Sequence, residues 1–249
     1  MSAASRRSLR NVLALAVVVL IGWQLAYWAI GEVALRSPAA TLAFTAKLVR
    51  TNAFWGHVRE SSQAFALALL IAVVAGLAGG FLLGLNRFAS DVLEPVLVAF
   101  YSIPKITLYP ILLLMFGLDM SAKVAFGAIH GVIPIALFTI TAVHNIRPVL
   151  IKSGRVMRLG PLETIAEILL PAALPEIFTG LRIGFALTLI GTLLGEMFAS
   201  QRGIGFLLMN AIGLHNIDLI MALTFLVTLF AGTASAILLF IDRGLYERA

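Results

Sequence analysis

The sequence predicts an all-α integral membrane protein with six transmembrane helices. Hydrophobic residues make up 61% of the 249 residues and charged residues only 12%, about half the charged fraction of an ordinary soluble domain. So few charged side chains cannot cover a water-facing surface, and the mean hydropathy of +1.02 agrees with a lipid environment. Six apolar stretches reach the roughly 20 residues that a helix needs to cross the hydrocarbon core.

The first predicted span, Asn11–Ile30, follows a basic start. Its apolar run exceeds a signal-peptide core, and Trp23, Tyr27 and Trp28 lie where an interfacial aromatic belt belongs, so we expect a retained anchor. The other five predicted spans are Ser62–Leu85, Leu93–Leu118, Ala122–Val143, Ile177–Ala199 and Leu219–Ile241.

The third predicted span is the least regular, because Pro95, Pro104 and Pro110 interrupt it. Prolines at membrane depth free backbone carbonyl groups that other protein groups must satisfy. We therefore expect neighbouring helices to bury this span.

Small residues recur every four positions in two of the spans, and such a stripe lets another helix backbone approach closely. The spacing indicates either general helix packing or contacts that slide during gating. The residues are Ala72, Gly76, Gly80 and Gly84 in the second span, and Gly180, Gly184, Gly191 and Gly195 in the fifth.

Basic residues near the span ends favour a cytoplasmic N-terminus under the positive-inside rule. We expect a multi-pass protein of the cytoplasmic (inner) membrane with both termini in the cytoplasm. With that orientation, the inside segments hold Arg6, Arg7, Arg10, Arg87, Arg147, Lys152, Arg155, Arg158, Arg243 and Arg248. The outside segments hold Arg36, Lys47, Arg50, Arg59, Lys123 and Arg202.

A polar, basic segment with its own helix pattern separates the fourth and fifth spans. Pro161 suits the first position of a helix, and Glu163 lies in the first turn near the positive end of the helix dipole. Pro171 is predicted to end this helix, and Pro175 to begin the next. An apolar face is predicted from the helical spacing of Leu162, Ile165, Ala166 and Leu169.

Two interpretations of this segment remain open from its residues alone. It fits a helix lying on anionic lipid, because such helices combine an apolar face with basic residues. It fits equally a knob presented to a partner in the water, since the prolines separate it from the next span.

The motifs of common enzymes are missing from the sequence: it has no G-x-x-x-x-G-K-[ST], no H-E-x-x-H and no G-x-S-x-G. The four histidines, His57, His130, His144 and His215, lack metal-ligand spacing, and cysteine is absent. We expect no catalytic residue, metal or cofactor, and no nucleic-acid binding, because no basic cluster with interleaved aromatic residues is present. Uphill transport would need energy from another subunit.

Lys105 lies near the middle of the third predicted span. A charge at that depth costs about 2.5–3.5 kcal/mol unless it faces protein or water. One interpretation is that Lys105 lines a pathway for an anionic solute. The other is that Glu94 or Glu196 neutralises it, or that it extends toward an interface. Glu196, near the outer end of the fifth span, is a second candidate for the pathway or its gate.

Several stretches, in order, resemble the permease subunits of type I ABC importers, and in particular the nitrate, sulfonate and taurine class. The resemblance covers about Trp55 to Tyr246. It is carried by Tyr101-Ser102-Ile103-Pro104-Lys105, Tyr109-Pro110, Phe116-Gly117, Leu170-Pro171-Ala172-Ala173-Leu174-Pro175, Thr179-Gly180-Leu181-Arg182, Leu194-Gly195-Glu196-Met197 and Arg202-Gly203-Ile204-Gly205. The start of the family's coupling loop departs: Lys152-Ser153-Gly154 stands in place of glutamate-alanine-alanine, and Arg158 in place of glycine.

The resemblance implies a type I ABC importer permease fold with six transmembrane helices. Residues 1–54 would form the cytoplasmic N-terminus, the first transmembrane helix and a linker. Residues 55–246 would form a permease core of five transmembrane helices, with a cytoplasmic coupling (EAA) loop at 144–176. The candidate pathway residues stay those indicated by charge and proline at membrane depth: Pro104, Lys105 and Glu196. The implied ATPase-coupling residues are Arg155, Arg158, Leu159, Gly160, Pro161, Leu162, Glu163, Ile165 and Ala166.

The function implied by the resemblance is ATP-driven import of a small anionic solute, such as a sulfonate, nitrate or taurine. Its partners would be ABC ATPase subunits that hydrolyse ATP, an extracytoplasmic solute-binding protein, and a second copy of the permease. One alternative is an ATP-independent secondary transporter or channel, but the inverted repeats typical of many secondary transporters are not visible. Another is an intramembrane enzyme or scaffold, for which the intramembrane acids are sparse.

Overall fold

The computed structural model describes residues 3–118 and 120–246, and this part of the chain is helical without strands. A 3₁₀ turn, Lys105–Leu108, and a π turn, Ile165–Leu169, interrupt the α-helices. The α-helices are α1 Ala3–Ile30, α2 Pro38–Leu48, α3 Asn52–Gly84, α4 Arg87–Ser102, α5 Tyr109–Phe116, α6 Met120–His144, α7 Pro148–Val156, α8 Pro161–Thr164, α9 Leu170–Ala199, α10 Ile204–Gly213 and α11 Ile217–Tyr246.

Four helical runs in the described residues are long and apolar enough to cross a membrane, and a fifth span results if one bent pair is counted. That pair, α4 with Lys105–Phe116, bends by 89°. The first predicted span lies in α1, whose apolar part, Ala14–Ile30, is shorter than the four, so a sixth span remains a prediction. The four long runs are Asn52–Gly84, Met120–His144, Ala166–Phe198 and Ile217–Asp242.

The third predicted span breaks at one of its three prolines. Ile103, before Pro104, is extended with ψ of 134°, because proline disfavours a helical conformation in the residue before it. Pro95 stays inside α4, and Pro110 lies in the first turn of α5, where a missing N–H is harmless. The predicted irregularity is confirmed. The predicted burial is found in part: Tyr109 and Leu112 of α5 are buried against Phe126 of α6, whereas Ser90 is the only buried residue of α4.

The chain divides into two compact units, Met1–Gly56 with Leu207–Leu229, and His57–Phe206 with Phe230–Ala249. In the first unit, Arg36 ties the segment after α1 to the start of α11. Its Nε lies 2.8 Å from Asp218 Oδ1, and its carbonyl accepts a hydrogen bond from the Trp23 indole at 2.9 Å.

Helix α6 is the centre of the second unit, with 67% of its most apolar stretch buried. It packs against the small-residue faces of both α3 and α9. A Cβ atom on Gly80 of α3 would lie 2.8 Å from the Ala136 carbonyl oxygen, and one on Gly184 of α9 would lie 2.5 Å from Ile135 Cγ1. Both predicted stripes are therefore packing faces, and both contact the same helix.

An apolar cluster joins one end of α6 to the start of α9. It is built on Ala142, Ile146, Ala173 and Ile177, all buried. The partly buried residues packed against it are Leu77, Phe81, Leu150, Leu169 and Leu181. Since Leu150 belongs to α7 and Leu169 to the π turn, the predicted coupling loop is fixed to this cluster.

Pro171 does not end a helix, which corrects the prediction from the sequence. Helix α9 begins at Leu170, contains Pro171 in its first turn and continues through Pro175. In a regular α-helix the ring of Pro171 would clash with the carbonyl of Glu167. The π turn before it changes the hydrogen-bond register there, so the polar segment and the fifth span form one continuous helical run.

Candidate functional site

The predicted coupling loop contains a tight turn, formed where α7 ends. Arg158 adopts the left-handed conformation with φ of +54°, and the Leu159 N–H donates to the Gly154 carbonyl at 3.1 Å. This combination is a Schellman helix end, in which glycine is the usual left-handed residue. The geometry gives a physical reason for glycine at the position that Arg158 occupies in this chain.

The next helix, α8, is capped by its own third residue. Glu163 Oε2 accepts a hydrogen bond from the Gly160 N–H at 2.7 Å, which is one half of a capping box. The Gly160 carbonyl accepts from the Thr164 N–H and hydroxyl at 2.8 and 2.9 Å. Pro161 takes the first helical position, as its sequence position predicted.

Gly154 allows α7 to lie directly against the π turn. It is buried, and a Cβ atom there would lie 2.6 Å from Ile168 Cδ1. Gly154 is the third residue of the triplet that departs from glutamate-alanine-alanine, so this chain keeps a small residue at that position. Lys152 and Ser153 are exposed, so the departure changes the surface chemistry and leaves this helix contact intact.

The loop exposes apolar and basic side chains together. Val156 is 83% exposed and Met157 66%, and Lys152 and Arg158 are exposed beside them. Apolar side chains rimmed by charge are typical of a protein–protein interface. We call Lys152, Val156, Met157 and Arg158 the coupling surface.

The other predicted coupling residues fall into three groups. Glu163 and Ala166 are exposed, and Leu159 and Gly160 are half-buried. The remaining four have a described backbone, but their side chains lie outside what the structure describes: Arg155, Pro161, Leu162 and Ile165.

Lys105 lies at the break of the bent pair and is half-exposed. Its Nζ donates to the Tyr101 carbonyl at 3.0 Å and lies 5.0 Å from the centroid of the Tyr101 ring. A positive charge is thereby placed at the carbonyl end of α4, where the helix dipole favours it. The carbonyl of Pro104 accepts from the Thr107 N–H and hydroxyl, so the carbonyls at the break have partners within the segment.

Glu196 is fully buried and bonds to other groups. Its Oε2 accepts from the Ser61 hydroxyl at 2.7 Å and from the Gly205 N–H at 2.9 Å. Across residues 3–118 and 120–246, Lys105 forms no ion pair with Glu196 or Glu94. The structure therefore places Lys105 and Pro104 together at the break, and Glu196 in a different polar network.

One buried ion pair escaped the sequence reasoning. Lys123 is 2% exposed, and its Nζ lies 2.9 Å from Glu60 Oε1. It also donates to the Ser200 hydroxyl and the Arg202 carbonyl at 3.3 and 3.4 Å. These residues line a polar cleft of about 480 Å³. Lys123 is the second residue of a predicted span, so the rule that singled out Lys105, an intramembrane charge needing a partner, could have found it.

A second pair links α9 to α11. Asp242 is 6% exposed, and its Oδ2 lies 3.5 Å from Arg182 Nε. The Thr179 hydroxyl donates to Asp242 Oδ1 at 3.3 Å. The sequence could not predict this ion pair, because Arg182 and Asp242 lie in different spans and only helix packing brings them together.

Residues 68–249 match the family of binding-protein-dependent transport system inner membrane components. The chain belongs to this family. It is 30% identical over 168 residues to a probable ABC transporter permease protein of Haemophilus influenzae, covering 68% of this chain and 69% of that protein.

Two further relatives carry the names of the solutes taurine and nitrate. The taurine transport system permease protein TauC of Escherichia coli is 26% identical over 213 residues, covering 83% of this chain and 78% of TauC. The nitrate import permease protein NrtB of Leptolyngbya laminosa is 32% identical over 158 residues, covering 64% of this chain and 56% of NrtB.

A solved structure of the MetNI methionine ABC transporter has the same fold. The match has a TM-score of 0.66 at 19% sequence identity and covers 77% of this chain and 96% of the MetNI chain. The protein is thus an ABC transporter permease with the type I importer fold, a multi-pass membrane protein and not itself an enzyme. Membership of the family implies an ATPase and a binding protein as partners.

Proposed function

We propose that this permease is the membrane subunit of an ATP-driven importer, and that its coupling surface receives the ATPase on the cytoplasmic side. The observation that carries the proposal is the seating of the loop: Leu150 and Leu169 pack on the apolar cluster of α6 and α9. A push on the loop is therefore delivered to the membrane helices.

The local geometry supports this use of the loop. The Schellman end at Arg158 and the cap of Gly160 by Glu163 fix the turn by hydrogen bonds. Met157 and Val156 remain exposed on that turn, where burial against a partner would remove apolar area from water. An ordered loop loses little conformational entropy when it docks on a partner. A push from the partner should then move the membrane helices instead of deforming the loop.

Co-purification with the ATPase subunit encoded beside this chain tests the docking site. We expect Met157→Asp and Leu162→Asp to abolish a complex that the wild type forms in nanodiscs. Val33→Asp is the matched control, because Val33 is 89% exposed and lies outside the loop. Retention of the ATPase by both loop variants would contradict the proposal, and transport that survives ATP depletion would favour an ATP-independent carrier.

We further propose that the solute is small and carries an anionic group, such as an alkanesulfonate, the zwitterion taurine or nitrate, and that Lys105 with Pro104 lines its pathway. Lys105 is a half-exposed cation at the break of a membrane helix, and relatives of this chain are named for sulfonates, taurine and nitrate. A hydrogen bond to a charged group contributes about 1.5–3 kcal/mol, so losing it lowers transport roughly tenfold or more.

Uptake of taurine, an alkanesulfonate and nitrate into proteoliposomes that contain the complete transporter tests this assignment. We expect Lys105→Met to reduce uptake of the transported anion at least tenfold. Lys47→Met serves as control, since Lys47 is an exposed lysine on α2. Unchanged uptake by Lys105→Met would remove Lys105 from the pathway.

We also propose that the permease works as a homodimer. Helix α4 is almost wholly exposed in a single chain, although a broken helix at membrane depth needs protein neighbours. An apolar groove of about 510 Å³, lined by residues of α3, α5 and α6, is a second uncovered apolar surface of the chain. Oxidative crosslinking of Ser121→Cys, in a chain without other cysteines, should give a covalent dimer in membranes; absence of a crosslink both there and at Leu114→Cys would contradict it.

A further inference from the structure

Three consecutive backbone N–H groups at the start of α10 are each taken by a side chain from another helix. The first N–H groups of a helix have no partner within it, so outside acceptors stabilise its first turn. The hydrogen bonds are Gly203 N–H to His57 Nδ1 at 3.1 Å, Ile204 N–H to Ser61 Oγ at 2.7 Å and Gly205 N–H to Glu196 Oε2 at 2.9 Å.

The three acceptors come from two helices. His57 and Ser61 lie one turn apart on α3 and therefore point to the same side, whereas Glu196 lies near the end of α9. The Ser61 hydroxyl also donates to Glu196 Oε2 at 2.7 Å, which joins the two arms. The His57 ring stacks on Phe206 of α10 with a centroid distance of 6.0 Å. We call His57, Ser61 and Glu196 the α10 cap.

Two glycines make room for the α10 cap. Gly203 has φ of +122°, and a Cβ atom there would overlap the carboxylate of Glu196. A Cβ atom on Gly205 would lie 2.8 Å from Glu196 Cβ. The requirement explains the Arg202-Gly203-Ile204-Gly205 stretch in physical terms: the backbone must approach the carboxylate closely enough to donate to it.

The burial of Glu196 fits an acceptor better than a charge presented to a solute. The side chain is fully buried, Oε2 accepts both hydrogen bonds, and the positive end of α10 faces it, which favours a carboxylate. Oε1 has no hydrogen-bond partner among the described residues. We propose that Glu196 is a positioning residue of the permease, which holds the first turn of α10 together with Ser61 and His57 and does not present its charge to the transported anion.

Two kinds of substitution separate a hydrogen-bonding role from a charge presented to the solute: those that keep a hydrogen-bond acceptor and those that remove it. In Glu196→Gln the amide oxygen can replace Oε2 as the acceptor. The NH₂ group then takes the place of Oε1, which accepts no hydrogen bond from the described residues, so no existing hydrogen bond is lost. Glu196→Ala removes the acceptor. His57→Asn and His57→Ala form a second such pair, because the Asn oxygen can replace Nδ1 as an acceptor. Glu94→Ala is the control, since Glu94 is an acid of α4 outside the α10 cap.

Amide hydrogen exchange of the peptide Ser200–Phe206, measured on the purified chain in nanodiscs, reads the α10 cap without solute or ATPase. We expect exchange at least tenfold faster in Glu196→Ala and His57→Ala, and within threefold of wild type in Glu196→Gln, His57→Asn and Glu94→Ala. Equal acceleration by Glu196→Gln and Glu196→Ala would overturn the proposal, as would no acceleration by Glu196→Ala. If Glu196→Ala does not fold, Ser61→Ala, which loses both hydroxyl contacts, takes its place.

Transport by the complete transporter separates a positioning role of Glu196 from a direct action of its charge on the solute. With the anion that the wild type takes up, Glu196→Gln should keep both the maximal rate and the half-saturating concentration within twofold. A Glu196→Gln variant with protected amides and strongly reduced uptake would show that the charge itself acts on the solute, and would overturn the proposal. Failure of the anion or ATPase assignments would leave the exchange result unaffected, so the two proposals fail separately.

Discussion

Arg158 holds a backbone conformation that its side chain disfavours. A left-handed conformation costs a non-glycine residue about 1–2 kcal/mol, and glycine would remove that strain while adding some entropy to the unfolded chain. We expect Arg158→Gly to stabilise the protein by about 0.5–1 kcal/mol, seen as a higher melting temperature in detergent. Lys152→Gly, in the interior of α7, should destabilise by up to about 1 kcal/mol. A lower melting temperature for Arg158→Gly would refute the strain.

The role of a single residue is predictable from the sequence when it depends on near neighbours in the chain, and not when it depends on distant ones. Pro161 and Glu163 could be placed correctly because a helix start depends on neighbours three or four residues away. Glu196 could be recognised only as a costly intramembrane charge, because its partner Ser61 lies 135 positions earlier in the chain. Which distant donor satisfies a buried carboxylate is decided by the packing of whole helices.

Helices α3 and α6 approach so closely that adjacent glycines of α3 should respond in opposite ways to the same substitution. A Cβ atom on Gly80 would lie 2.9 Å from Thr139 Cγ2, whereas one on Gly79 would meet nothing within 4 Å. We expect Gly80→Ala to destabilise by about 1–3 kcal/mol through overpacking, and Gly79→Ala to be neutral or stabilising by up to about 1 kcal/mol. Thermal melts of both variants in the same detergent check this, and similar melting temperatures would contradict the contact.

Helix faces were predictable, but helix partners and helix ends were less so. Four-residue spacing fixes which face of a helix is small, yet it does not say that the stripes of α3 and α9 face the same helix. Pro171 was expected to stop a helix by its own stereochemistry. A π turn instead precedes Pro171 and the helix continues, and Leu169 of that turn packs against the apolar cluster, a contact that local sequence does not predict.

The positive-inside bias predicts that both termini lie in the cytoplasm, and this topology can be tested directly. The sequence has no cysteine, so a single introduced cysteine gives a labelling signal without background. With both termini in the cytoplasm, Arg158→Cys should react with an impermeant maleimide only from the cytoplasmic side, and Gln201→Cys only from the outside. Both positions are exposed. Labelling of the two cysteines from the same side would exclude this topology.

At the scale of the molecule, composition was sufficient for the class, because lipid must replace the missing polar surface. The number of crossings was harder to predict. Apolar length counted Leu93–Leu118 as one span and its prolines predicted an irregular helix, but neither gave the 89° bend of the pair that occupies it. A window of hydropathy records how much apolar surface a segment has and not the direction in which its two halves run.

The glycine contacts on both sides of α6 have a mechanical consequence. Where backbones touch without long side chains between them, little compressible space remains, so α3, α6 and α9 should move as one rigid body in the second unit. A force on Leu150 and Leu169 would then rotate all three helices together as a rigid body. Within the helical runs long enough to cross a membrane, and in the bent pair, we expect bending at the Ile103–Pro104 break and at the π turn, Ile165–Leu169. If the chain changes conformation during transport, we expect it to bend at these two interruptions.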